Sequence, residues 1–132
     1  MISFDIVEKV QEMVGLATSL PVYIGSNPPM EAVGIDCDAT TTFTGMDMDR
    51  GYEMRTAING KSGDQSLIAS ELDKIHASLT LRKAYPSGDD WQIYAIETDS
   101  APRLLGRESA DRTQWLYGSS VRVKYYRKGI KG

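Results

Sequence analysis

Gly60-Lys61-Ser62 is the first grouping in the chain whose residue types could do chemistry. A G-K-S between a strand-like and a helix-like run is where a phosphate-binding loop holds its nucleotide. That loop needs a glycine five residues upstream, so that successive backbone N–H groups can curl around the phosphates. Here the position is Arg55, and Thr56 to Asn59 continue an alternating run. Asn59-Gly60 therefore reads as a strand end and Ser62 as a helix cap, with no cofactor expected. "DMDRG" at 47–51 looks like the opening of a calcium loop, but its third ligand position is Gly51 and its twelfth residue is Ile58. Neither can supply the oxygen that the loop requires. Asp36 and Asp38 share a strand face without a third ligand, as on a solvated edge. Asp73 and His76 lie one helical turn apart, poor spacing for a catalytic relay, and no G-x-S-x-G elbow is present. No catalytic, cofactor-binding or metal-binding residue is expected, and the chain reads as a non-enzyme.

Cys37 and His76 are single representatives of their types, so an internal disulfide and a four-ligand zinc site are both excluded. Both read as packing residues. The 132 residues make one domain, 1–132, with 41% hydrophobic and 25% charged residues, an ordinary globular balance. No apolar run approaches a membrane span, and the start "MISFDIVEKV" lacks the pattern of a signal peptide, so synthesis in the cytoplasm is expected. The net charge of −3 is unevenly spread. All 18 acids lie at or before Asp111, and only bases follow: Arg112, Arg122, Lys124, Arg127, Lys128 and Lys131. Basic residues interleaved with Tyr125 and Tyr126 could track a nucleic-acid strand. They could equally form a solvated strand neutralised by acidic neighbours.

The elements that would position these residues follow from periodicity. Ile6, Val7, Val10, Met13, Val14 and Ala17 form the apolar face of a first helix, with Ser3 as a candidate cap. "LPVYIGS" reads as a short strand and "SNPPMEA" as a loop. Residues 33–59 alternate as β structure around a turn at "GMDMDRG". Ile68, Leu72, Ile75 and Leu79 mark a second helix beginning near Asp64, with Ser62 and Gln65 in capping-box relation. "WQIYAIETD" alternates again, "SAPRLLGRESADR" reads as a long polar loop, and "TQWLYGSSVRVKYYRK" closes the chain as a strand with a bulge or bend at Gly118. This order predicts an α+β fold, a mainly antiparallel sheet of about four to six strands with two helices packed on one face.

In layout the chain resembles the tail terminator (minor capsid, head–tail joining) proteins of long-tailed bacteriophages. The resemblance rests on the helix "FDIVEKVQEMVGLA" followed by "LPVYIG", the strand–turn–helix "YEMRTAINGKSGDQSLIASELDKIHASL", the stretch "WQIYAIETDSAPRLLGRESADR" and the final strand "TQWLYGSSVRVKYYRK". It implies a small domain forming a homohexameric ring in the virion, at the head-proximal end of the tail. There it would terminate the tail tube and dock on the head-completion or connector protein. It implies no catalytic residue, no sequence-specific nucleic acid and no membrane partner. Under that resemblance Asp36, Asp38, Asp47 and Asp49 would face the basic Arg122, Lys124 and Arg127 of a neighbouring copy, or line a lumen that repels DNA. "SNPPMEA" and "SAPRLLGRESADR" would be partner-facing loops. The alternatives are a head-completion or connector protein, or a small nucleic-acid-binding module using the basic final strand.

Overall fold

The structure, a computed structural model, describes residues 2–25, 31–44, 50–88, 91–107 and 114–127; for 2–4, 37–44, 50 and 127 it describes the backbone alone. In chain order the elements are α1 (Ile2–Ala17), β1 (Val22–Ile24), β2 (Ala32–Thr44), β3 (Arg50–Ser62), α2 (Gln65–Thr80), β4 (Trp91–Arg107) and β5 (Trp115–Arg127). The strands form one five-stranded sheet in the order β1-β2-β3-β5-β4, parallel between β1 and β2 and antiparallel elsewhere. Both helices cover the same face, α1 over β1 and β2, α2 over β3, β5 and β4. The expected α+β architecture is the one observed.

The apolar stripes meet between these layers. Ile6, Val10, Met13 and Val14 from α1, with Leu72, Ile75 and Leu79 from α2, pack on Ile35, Met54, Ile58, Val121, Val123 and Ile93. Period two in the strands and about 3.6 in the helices put each set on one face, and each fully buried side chain contributes about 1.5–3 kcal/mol. Tyr52 and Tyr125 stack at the edge of this layer, ring centroids 5.2 Å apart. Glu71 of α2 is buried and accepts hydrogen bonds from Thr18 Oγ1 and Ser19 Oγ, each at 3.2 Å, which ties the α1–β1 connection to α2.

Several local expectations are corrected. Gly60 does not end its strand: β3 runs on to Ser62, and Gly60 sits flat under α2, where a Cβ would come within 2.6 Å of Ile68 Cγ1. The helix cap is Asp64, whose Oδ1 accepts from Leu67 N at 3.2 Å, while Ser62 Oγ accepts from Asp64 N. Ser3 lies inside α1, one residue past its start, rather than before it. Residues 100–107 extend β4 instead of beginning a loop. Pro102 is tolerated there because β4 is the outermost strand, where a missing N–H breaks no ladder. The register shifts lie in β4, between Ile93/Ala95, Thr98/Ser100, Ser100/Arg103 and Leu104/Gly106, and in β2 between Cys37/Ala39, rather than in β5 at Gly118. Of "SNPPMEA", residues 26–30 lie outside the described residues, and Ala32 already belongs to β2.

Candidate interaction surface

The face of the sheet turned away from the helices carries the polar halves of the alternating strands. Because β5 lies between β3 and β4, Arg55, Arg122, Lys124, Glu97 and Asp99 come together although they are distant in sequence. Lys124 Nζ is 2.8 Å from Glu97 Oε1, and Arg55 Nε is 3.0 Å from Asp99 Oδ2. Arg122 reaches both acids, at 3.9 Å from Glu97 and 3.8 Å from Asp99. Ser120 Oγ donates to Asp99 Oδ2 at 2.9 Å. The hydrogen bond from Lys124 holds the Glu97 carboxyl below the usual range, and the same bond holds the Lys124 ammonium above its own. Arg122 and Lys124 of the basic final strand are thus matched within their own chain.

Beside this ladder the sheet is floored by small residues. Ala57, Asn59 and Gly118 underlie a hollow of about 130 Å³ flanked by Arg55, Arg103 and Leu105. Gly118 is closely approached, since a Cβ there would lie 2.8 Å from Cδ1 of the exposed Leu105 side chain and 3.3 Å from Asn59 Oδ1. At the other end of β5, Tyr126 stacks on Tyr94 at 6.1 Å, both partly exposed. On the helical side, Met13, Leu16, Tyr85 and Pro86 line a groove of about 320 Å³, with Leu16 85% exposed.

The proposed contact residues are dispersed. Asp36 is exposed on β2; Asp38 and Arg127 are strand residues described by backbone alone; Asp47 and Asp49 lie outside the described residues. Arg122 and Lys124 stand together on β5. Sequence reasoning missed their partners Arg55, Glu97 and Asp99. Strict alternation in "WQIYAIETD" would put Glu97 and Asp99 on the face of Trp91 and Ile93; the register shift at Ile93/Ala95 turns them to the opposite face, and the strand order sets that face beside β5.

Two of the groupings weighed for chemistry, at Lys61 and at His76, have described side chains. Lys61 is buried within β3, paired with Ala32 and Leu116 rather than presented by a loop. His76 is buried, its Nδ1 2.9 Å from Thr98 Oγ1, while Nε2 is enclosed without a hydrogen-bond partner. Burial lowers its pKa, partly opposed by the charge of Asp73. No Asp–His–hydroxyl relay results, because Asp73 makes no hydrogen bond to the ring that would orient it. Among the described residues no three His, Cys, Asp or Glu side chains converge as metal ligands, and no helix is long and apolar enough to cross a membrane.

No protein-family model matches the chain, and no curated protein sequence matches it. Among solved structures, a chain from the virion of a native gene transfer agent (GTA) particle superposes with a TM-score of 0.60 at 11% sequence identity, covering 89% of this chain and 84% of that one. At that identity the likeness establishes a shared fold, carried through nearly the whole length of both chains.

Proposed function

We propose that the protein is a non-enzymatic structural component of a phage-like virion, of the tail terminator type. Copies would form a ring, a hexamer by the family resemblance, that ends the tail tube and joins it to the head's connector protein. The observation that carries this reading is the end-to-end fold match to a chain of a GTA virion. The long stretch of β2 beyond Ile35, which among the described residues has no strand on its outer side, is consistent with it, because in a ring that edge would be satisfied by a neighbouring copy. The test is immunogold labelling of particles from cells carrying the gene, together with its deletion. Label at the head-proximal tail end, with overlong headless tails on deletion, is expected. Label on heads from a tail-less mutant would instead identify a head-completion or connector protein.

A further inference from the structure

We propose that the outer edge of β2 over residues 39–44 is a strand-addition site, filled in the assembled ring by the basic C-terminal stretch, 127–132, of a neighbouring copy. The inference rests on the ring-forming reading above and names the contact that would close the ring. β1 covers β2 only from Val33 to Ile35. Beyond that, β2 pairs with β3 on one side, and among the described residues no strand lies on the other. From Ala39 to Thr44 the ladder with Arg55–Arg50 is unbroken, so the outward backbone groups form a regular row. The sequence there is Ala-Thr-Thr-Thr-Phe-Thr, rich in β-branched residues and without Pro, Gly or charge. Edges meant to stay unpaired are interrupted or charged. β4, the opposite edge, is protected in this way by four register shifts and Pro102. The β2 edge has no such device between its bulge at Cys37/Ala39 and Thr44.

Charge selects the occupant. Acids flank this uncharged run on both sides in sequence, Asp36 and Asp38 before it and Asp47 and Asp49 after it. Arg122 and Lys124 are matched within the chain by Glu97 and Asp99. The sequence then continues Arg127-Lys128-Gly129-Ile130-Lys131-Gly132, with three cations and no acid. β5 ends at the same end of the sheet as β2, since Tyr126 pairs with Gly51 and Thr44 with Arg50. A basic extended segment added to a β-rich edge bracketed by acids gains main-chain hydrogen bonds for affinity and charge for register.

Strand addition brings paired Cα atoms to about 4.5–5.5 Å, within reach of a disulfide. In a Cys37→Ser background, a tagged chain carrying Thr41→Cys or Thr42→Cys is mixed with an untagged chain carrying Ile130→Cys, then oxidised. Tagged–untagged dimers on a non-reducing gel are expected from at least one of the two adjacent positions. Lys128→Glu with Lys131→Glu should weaken self-association by about tenfold or more in analytical ultracentrifugation. Rings that form normally without either cross-link overturn the β2 contact and leave the ring reading standing. A disulfide within a single chain carrying both cysteines, with none between chains, overturns the inter-copy assignment. A chain that stays monomeric at every concentration and is absent from purified particles overturns both.

Discussion

Two buried titratable residues, Glu71 and His76, make the stability of this fold depend on pH in separate windows. Glu71 takes hydrogen bonds from Thr18, from Ser19 side chain and backbone, and has Lys74 Nζ at 2.6 Å. The Lys74 hydrogen bond leads in lowering its pKa, against the opposing effect of burial. A carboxyl lowered in the folded state contributes stability above its unfolded value of about 4.5, and loses it as pH falls through the folded value. Glu71→Ala leaves the Ser19 N–H and hydroxyl donors facing a cavity, and should cost about 2 kcal/mol in urea unfolding at pH 7. Glu71→Gln should flatten the pH dependence of stability below about 4.5. His76 has the opposite charge logic but the same sign. Its folded pKa is lowered by burial, so the unfolded chain binds the proton first as pH drops past 6.5. Stability should therefore fall from about pH 6.5 downward until the folded ring also titrates, and His76→Gln should remove that part of the profile. Glycines separate in the same residue-by-residue way. Gly60→Ala drives a methyl into Ile68, itself buried between helix and sheet, and should cost about 1–3 kcal/mol. Gly118→Ala meets Leu105, which is 55% exposed and free to swing outward, and should stay within about 0.5 kcal/mol of the parent. Equilibrium denaturation of the two variants, measured side by side, checks the contrast.

The elements obey pattern where burial is strong and escape it where the sheet runs out. Both helices were legible because Ile6 to Val14 and Ile68 to Leu79 keep one face dry over several turns. β3 and β5 were legible because each is a central strand with one buried face and one wet face, which forces alternation. The second half of β4 was not legible. Ala101-Pro102-Arg103-Leu104-Leu105-Gly106 carries turn-forming residues and no alternation, and only an edge position admits it as strand. The sequence does not separate Ser62 from Asp64 as the cap because both are favoured capping types and spacing alone does not rank them; only Asp64 accepts from a first-turn N–H, that of Leu67. The ion ladder was illegible for a topological reason: placing β5 between β3 and β4 is a choice the chain makes in space, not in local sequence. Its energetic weight is modest, since Lys124 and Glu97 are solvent-accessible and water and salt screen such pairs. Lys124→Glu should thus lower the unfolding midpoint only slightly, and Glu97→Lys added to it should restore the loss. A double-mutant cycle by thermal or urea unfolding measures that coupling. Cooperative folding retained in Lys124→Glu would make it a clean probe of assembly, separating contact between copies from stability of one copy.

For the whole molecule, the distribution of charge decides between a virion component that lets DNA pass and a module that grips it. Nucleic-acid affinity comes mainly from cations that replace condensed counterions on phosphates. Here Arg122 and Lys124 of the basic final strand are engaged with Glu97 and Asp99, and the chain carries −3 overall. A phosphate approaching that face would meet the two carboxylates along with the cations, and to bind it would have to displace them. Tyr94 and Tyr126 stack on each other, so a base seeking an aromatic platform would have to separate that pair. The expected outcome is that a fluorescent single strand shows no saturable binding at about 0.15 M salt, a concentration at which most of the long-range attraction between exposed charges is screened. Glu97→Gln with Asp99→Asn removes both negative charges of this ladder, and should raise low-salt affinity with a steep loss on adding salt. Unmodified protein that binds with a log–log salt slope equivalent to several phosphates would favour the nucleic-acid module over the terminator ring. If only the neutralised variant binds, the acids on β4 are what keeps this face from holding nucleic acid.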